Sequence, residues 1–204
     1  MLRQTLFRNF WPRLWPDPAP GCQVPKGDLF AKPGAHTTVF LRTPVPADAP
    51  RLTALALRSR ALHDRWARAP ADPEAFFAWL AKMDSETNHG FLVCRRHLVG
   101  AEEIAGVINV TQVVMGAFCS GYLGYYAFSG YERQGLMREG LVQVLCHAFG
   151  NLKLHRLEAN IQPGNLASIA LVRSCGFVQE GFSPRYLKIN GRWRDHERWA
   201  VLAD

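Results

Sequence analysis

The chain has 204 residues, of which 48% are hydrophobic, and a formal net charge of +7. This length and apolar content predict one domain with one core, and the charge favours an anionic ligand or surface without identifying one. No apolar run approaches the ~18–20 residues of a membrane span. The sequence contains neither an HExxH nor a CxxC motif, so it does not indicate a metal site. With no signal-peptide-like start and with cysteines in core-like patterns, the sequence favours the cytoplasm.

The N-terminal segment, residues 1–36, is rich in proline and tryptophan. Its prolines interrupt both helices and sheet ladders, because proline lacks a backbone N–H. We expect an extended arm here, either packed on its own domain or docked to a partner or second subunit. The residues concerned are Pro12, Pro16, Pro18, Pro20, Pro25, Pro33, Trp11 and Trp15.

From residue 37 to residue 204 the pattern is that of one α/β domain. A strand ends at Pro44, and two helices follow, one after Pro50 and one with Pro73 in its first turn. Three strands come next, and then a long helix over 134–149, a strand over 155–161 and a helix over 165–175. An Asn190-Gly191 turn closes a final hairpin. This order predicts a mixed, mostly antiparallel central sheet flanked by helices.

The stretch YERQGLMREG, residues 131–140, lies between a strand-like run and the long helix. The first N–H groups of a helix have no partner within it and lie at the positive end of its dipole. Gly135 lets an anion approach these groups, and Arg133 and Arg138 add positive charge, so the loop fits a phosphate site. A tight turn that binds nothing is the alternative. The loop is neither a P-loop nor a GxGxxG motif.

The helix over 165–175 begins with Asn165 as a natural N-cap and has Ser168 at its third position. Together with the glycine loop, this helix resembles the GCN5-related N-acetyltransferases (GNAT), which use acetyl-CoA. The family loop reads Gln/Arg-x-x-Gly-x-Gly/Ala, whereas this chain has Glu132 at the first of these positions and Met137 at the last.

Five segments narrow the resemblance to the ribosomal-protein N-acetyltransferases, in the branch that acts on an N-terminal alanine. They are residues 103–118, 122–128, 135–137, 155–168 and 186–196. The resemblance implies a sheet with splayed central strands and acetyl transfer to a primary amine, foremost the N-terminal α-amine of a ribosomal protein. A small-molecule amine acceptor and a non-catalytic acyl-CoA-binding module remain the alternatives. A monomer or homodimer that does not bind nucleic acid directly is expected.

The resemblance also implies a set of cofactor contacts. Backbone groups of the strand that ends near residue 128 would bind the pantetheine and polarise the thioester carbonyl, and the glycine loop would hold the pyrophosphate. The implied cofactor residues are Tyr126, Ala127, Phe128, Arg133, Gln134, Gly135, Leu136, Met137, Arg138 and Asn165.

The implied general acid is Ser168. Many family members use a tyrosine seven residues after the asparagine, but this chain has Val172 there, and Ser168 is the available hydroxyl. The alternative is a helical serine that only bonds a backbone carbonyl.

The general base has three candidates. Residue parity in the final hairpin puts Asp195 on an aromatic face, and a type I′ turn pairs it with Tyr186. Desolvation there would raise the pKa of the carboxyl, but a structural hydrogen bond to Tyr186 or to backbone is the favoured interpretation of this residue. Glu158 on the splayed strand and a water relay are the rivals. Substrate contacts are expected from Trp66, which could also be core, and from Asn109 and Tyr186.

Overall fold

The computed structural model describes residues 37–97 and 102–203. The expected arm, residues 1–36, lies outside the described residues. In the described part the elements follow one another as β1 Thr37–Arg42, α1 Ala49–Arg58, α2 Arg60–His63, α3 Pro73–Met83, β2 His89–His97, β3 Glu103–Val114, β4 Ser120–Ala127, α4 Leu136–Gly150, β5 Arg156–Ile161, α5 Leu166–Ser174, β6 Val178–Ile189 and β7 Arg192–Leu202.

The strands form a seven-stranded sheet in the order β1-β2-β3-β4-β5-β7-β6. Neighbouring strands are antiparallel except for the parallel pair β4 and β5. One face packs against α4 and α5 through a core that includes Leu123, Leu141 and Val172. The other face packs against α1 and α3 through a second core that includes Leu52 and Phe76. The predicted mixed, mostly antiparallel sheet flanked by helices is confirmed.

The first helical region is broken, where the sequence pattern predicted one continuous helix. The Ser59 hydroxyl donates to the Leu55 carbonyl at 2.7 Å and accepts from the Ser129 N–H at 2.8 Å. A serine that bonds neighbouring backbone in this way competes with regular helix. The break separates α1 from α2, and the hydrogen bond between Ser59 and Ser129 connects this point to the loop after β4.

The C-terminal hairpin keeps its predicted register from Ile189–Arg192 to Leu187–Arg194 and departs from it at a bulge. The β6–β7 pairing shifts between Ser183 and Leu187, where Arg185 adopts a φ of 48°. This bulge removes the expected Tyr186–Asp195 pair, and Asp195 is exposed rather than desolvated. Asp195 is exposed because β5 pairs only with residues 197–202 of β7, so the hairpin tip projects beyond the sheet.

The described residues also bear on the expectations from composition. None of their helices is long and apolar enough to cross a membrane, and they contain no group of three or more side chains suited to hold a metal ion. Cys94, Cys119 and Cys175 are free thiols.

Candidate active site

The centre of the sheet opens between β4 and β5. The β3–β4 ladder continues to the Gly106–Ala127 pair, whereas the β4–β5 ladder ends at Leu123–Ala159. Residues 124–127 therefore have an edge that pairs with β3 but not with β5. This is the splay that the family resemblance implies.

Backbone direction decides which groups face this gap. The Phe128 N–H donates to the Ala105 carbonyl of β3 at 2.8 Å. Because backbone groups alternate sides along a strand, Tyr126 also faces β3, while Tyr125 and Ala127 face the gap. Of the three residues expected to bind pantetheine, only Ala127 thus presents its backbone to the gap. Tyr125 joins it.

His63 is a site residue that the sequence reasoning missed. It is buried at the end of α2, with Nε2 2.7 Å from the Ala127 carbonyl oxygen, and its ring meets the Tyr126 ring edge-on at 5.0 Å. Since a carbonyl only accepts, Nε2 carries the proton. The gap-facing carbonyl of Ala127 is therefore already bonded, which leaves the N–H groups of Tyr125 and Ala127 and the Tyr125 carbonyl toward the gap. No motif around His63 marked it, because its role depends on the break in the helix at Ser59.

A cavity of about 910 Å³ extends from the gap to the glycine loop and the start of α5. Predicted residues in its lining are Trp66, Tyr126, Ala127, Arg133, Gly135, Leu136, Met137, Arg138, Asn165 and Ser168. Predicted residues that do not line it are Asn109, Phe128, Gln134, Glu158, Tyr186 and Asp195.

The glycine loop opens the start of α4 toward this cavity. Gly135 is the N-cap residue with a φ of 78°, a left-handed conformation that glycine adopts without strain, and no side chain caps the helix. The first amides of α4 are thus accessible to an anion. Around them, the Glu132 carboxylate accepts from the Gly130 N–H at 2.7 Å. Glu132, the departure from the family loop, therefore holds the loop together.

Gln134 has a structural position in the same loop. Its side-chain oxygen accepts from Arg95 at 2.7 Å, and its side-chain nitrogen donates to the Gly130 carbonyl at 2.7 Å. Arg95 lies over the Tyr131 ring, 5.3 Å from its centroid, and is bonded to Glu103. Gln134 thus links the loop to β2 rather than lining the cavity.

Ser168 lies at the cavity wall with its backbone held from two sides. Its N–H donates to the Asn165 side-chain oxygen at 3.2 Å, and its carbonyl accepts from the Tyr125 hydroxyl at 3.1 Å. Asn165 is therefore the N-cap that the sequence predicted. Val172 is fully buried in the core and does not line the cavity. Burial raises the pKa of Tyr125, so its hydroxyl stays protonated.

The two candidate carboxylates already have partners. Asp195 accepts from the Arg185 N–H at 2.7 Å and so stabilises the bulge of the hairpin. Glu158 accepts from Arg156 at 2.8 Å, and Arg156 also pairs with Glu180. Burial, followed by the charge of Glu158, raises the pKa of the neighbouring Tyr122.

A split central sheet and an uncapped, glycine-started helix are joined by one cavity, which is the arrangement expected from the resemblance to the GNAT family. The family model described as acetyltransferase (GNAT) domain matches residues 38–178, more than half of the chain. The chain belongs to this family.

Curated relatives include two with informative names. The chain is 40% identical over 95 residues to the [ribosomal protein uS5]-alanine N-acetyltransferase of Escherichia coli, covering 47% of this chain and 49% of that protein. It is 36% identical over 101 residues to the probable N-acetyltransferase YjcK of Bacillus subtilis, covering 50% and 56%. The chain spans about half the length of the curated relatives it matches.

Solved structures agree on the fold. RimJ of Mycobacterium smegmatis, in complex with CoA-disulfide, superposes with a TM-score of 0.72 at 26% identity, covering 81% of this chain and 82% of that one. The ribosomal-protein-S5-alanine acetyltransferase of Vibrio fischeri gives the same TM-score and identity and covers 81% and 93%. A spermidine N-acetyltransferase of Vibrio cholerae gives a TM-score of 0.67 at 18% identity, covering 80% and 95%, which supports the fold alone.

Proposed function

We propose that this protein transfers the acetyl group of acetyl-CoA to the N-terminal α-amine of a protein, with ribosomal proteins as the substrate class. The observation that carries the proposal is the 40% identity over 95 residues to a ribosomal-protein-alanine N-acetyltransferase. The cavity supports it, because one space joins an anion-binding helix start to the open edge of β4. A cytoplasmic monomer or homodimer is the proposed form.

Acetyl-CoA would be held by backbone groups at both ends of this cavity. The pyrophosphate would bind the first amides of α4 around Gly135, with Arg133 and Arg138 supplying positive charge at the cavity wall. The pantetheine would pair with the gap-facing groups of Tyr125 and Ala127 as an added strand. An N–H group that donates to the thioester oxygen would stabilise the charge that develops there.

The reaction then needs one proton removed from the amine and one given to the CoA thiolate. We assign the second role to Ser168, which lines the cavity at the start of α5. For the first we assign Glu158 because it lies near the gap, whereas Asp195 lies at an exposed position in the hairpin. Glu158 lies on β5, two residues before the opening of the gap, and would act through water.

A small polyamine is the second candidate acceptor. The chain is 31% identical over 72 residues to the spermidine N(1)-acetyltransferase of Vibrio cholerae, covering 35% of this chain and 42% of that protein. This match is shorter and less identical than the 40% identity over 95 residues to the ribosomal-protein-alanine N-acetyltransferase. We therefore rank the protein N-terminus first.

The test is acceptor-dependent release of the CoA thiol from acetyl-CoA. Hexapeptides that differ only in their first residue are compared with spermidine and with an Nα-acetylated peptide as a blank. We expect the alanine peptide to give the highest kcat/KM. Higher turnover with spermidine would contradict the proposed acceptor, and thiol release that no acceptor stimulates would favour a binding module.

A further inference from the structure

The segment around the break between α1 and α2 holds the end of β4 at two backbone groups. His63 donates from Nε2 to the Ala127 carbonyl at 2.7 Å. Four residues earlier in the chain, the Ser59 hydroxyl accepts from the Ser129 N–H at 2.8 Å. These bonds join residues that are 64 and 70 positions apart in the sequence, so they fix the end of β4 relative to a distant helical segment.

The His63 ring is packed so that its donor stays directed at this carbonyl. The side chain is buried, and its ring meets the Tyr126 ring edge-on with the centroids 5.0 Å apart. The Phe128 ring lies 6.2 Å away between centroids. Tyr126 and Phe128 are the two neighbours of Ala127 in the chain, so the imidazole contacts both sides of the residue that it binds. Packing of this kind restricts the rotamers of a side chain.

One peptide group connects His63 to the paired part of the sheet. The Ala127 carbonyl and the Phe128 N–H belong to the same peptide unit, and this N–H donates to the Ala105 carbonyl of β3 at 2.8 Å. Hydrogen bonds that follow one another through a peptide group polarise and strengthen each other. The bond from His63 therefore stabilises the contact between β3 and the end of β4.

Residues 127–129 lie between the two parts of the cavity that would hold acetyl-CoA. The open edge of β4 ends at Ala127, and the loop that leads to Gly135 at the start of α4 follows directly. His63, Ala127 and Gly135 all line the same cavity. A cofactor that binds both parts spans this junction, so its fit depends on how closely the junction is held.

His63 also determines which backbone groups of Ala127 face the gap without a partner. The Ala127 carbonyl accepts from His63, whereas the N–H of the same residue, on the same side of the strand, remains a donor. The pantetheine arm of CoA contains amide carbonyls, which accept from such an N–H. Without the histidine donor, the Ala127 carbonyl would bind water, and that water would compete with a pantetheine lying along the edge.

We propose that His63 is a positioning residue that aligns the pantetheine-binding edge of β4 with the glycine loop by donating to the Ala127 carbonyl. It acts through Ala127 and strengthens the binding of the pantetheine arm rather than that of the nucleotide. The proposal rests on the proposed function for the placement of CoA, and it does not depend on which amine is the acceptor.

The test separates the pantetheine arm from the nucleotide. Calorimetry measures the affinities of CoA and of 3′-phospho-ADP, which is CoA without its pantetheine arm, for wild type and three variants. His63→Gln keeps an amide N–H that can reach the carbonyl, and His63→Leu fills the space without a donor. His196→Leu is the control, because His196 is also buried and bonded to a backbone carbonyl, that of Arg194 at 2.9 Å, but does not line the cavity.

In wild type and in His196→Leu, we expect CoA to bind at least about tenfold more tightly than 3′-phospho-ADP. His63→Leu should lower this ratio about tenfold with the nucleotide affinity unchanged, and His63→Gln should restore the ratio to within about threefold. If His63→Leu also loses the nucleotide, His63→Asn replaces it with the same expected ratio, because its amide is too short to reach the carbonyl.

A ratio that stays at the wild-type value in His63→Leu overturns the positioning role and leaves the CoA site in place. An equal loss in His63→Gln and His63→Leu overturns it as well, because the donor would then not be what matters. If wild type shows no preference for CoA over 3′-phospho-ADP, the placement of CoA in the proposed function is wrong, and the role of His63 is overturned with it.

Discussion

At the scale of single residues, Ser168 is the general acid that we propose. Asn165 and Tyr125 hold its backbone at the start of α5, where Ser168 lines the cavity. Replacing a positioned general acid costs about 10²–10⁴-fold in rate. We expect Ser168→Ala to lower kcat by about that factor under conditions where chemistry limits the rate, with affinity for acetyl-CoA nearly unchanged.

Ser174 supplies the matched control for this measurement. It lies on the same helix and also lines the cavity, but its hydroxyl donates to the Leu171 carbonyl at 2.7 Å. Ser174→Ala should therefore keep the wild-type kcat. If Ser168→Ala keeps the wild-type turnover, Ser168 has only a structural role. The general acid would then have to be water or the Tyr125 hydroxyl.

The two carboxylates predicted as bases differ in what they contact. The amide of Asp195→Asn keeps an oxygen that can accept from the Arg185 N–H, so we expect the fold and kcat/KM to persist. Glu158→Gln removes the negative charge that pairs with Arg156. If Glu158 is the base, this variant should lose about 10²-fold or more in kcat/KM.

The pH profile of kcat/KM separates a base from a structural carboxylate. Glu158→Gln should remove the acidic limb of the wild-type profile, whereas Asp195→Asn should keep it. The opposite pattern would return Asp195 to the role of base, and an unchanged profile in both variants would point to a water relay.

At the scale of elements, the loop before α4 owes its shape to Gly135. With a φ of 78°, a β-branched residue there would strain the backbone, so valine would confound binding with folding. Asparagine tolerates this conformation, and its side chain would fill the approach to the helix amides. We expect Gly135→Asn to weaken CoA binding by at least about tenfold while its circular dichroism stays native.

Gly116 provides the control for the loop. It also has a positive φ, 75°, and no atom lies within 4 Å of its Cβ position, but it lies in the turn between β3 and β4 and does not line the cavity. Gly116→Asn should bind CoA like wild type. Equal CoA affinity in both variants would mean that the pyrophosphate does not bind at this helix start.

At the scale of the whole molecule, local patterns predicted the order of the elements and much of the cavity wall. Alternating and helical periodicities fix which faces are buried, and an N-cap such as Asn165 acts within one turn. The misses depend on contacts between distant segments. His63 reaches Ala127 only because Ser59 breaks the helix, and the exposure of Asp195 depends on how far β5 extends along β7. Neither the His63–Ala127 contact nor the extent of β5 along β7 can be predicted from residue spacing within one segment.

Stability against pH also belongs to the whole chain, and His147 makes a specific contribution. Burial lowers its pKa from 6.5 to about 4, and the charge of the nearby His89, 6.4 Å away between ring centroids, acts in the same direction. Between these pH values the unfolded chain binds a proton that the folded protein does not, so the free energy of unfolding falls as the pH falls. Because the His147 ring is only partly buried, solvent screening reduces this cost to about 1–2 kcal/mol by pH 4.5.

We therefore expect the melting temperature of His147→Gln to fall less than that of wild type between pH 7 and pH 4.5. Carboxylates contribute equally to the acid loss in both proteins, so the difference between the two slopes isolates His147. At about 1–2 kcal/mol, the difference would amount to roughly 2–8 °C for a chain of this size. His155→Gln, at an exposed position, is the control and should follow wild type. Parallel melting curves for His147→Gln and wild type across this range would show that His147 is protonated equally in both states.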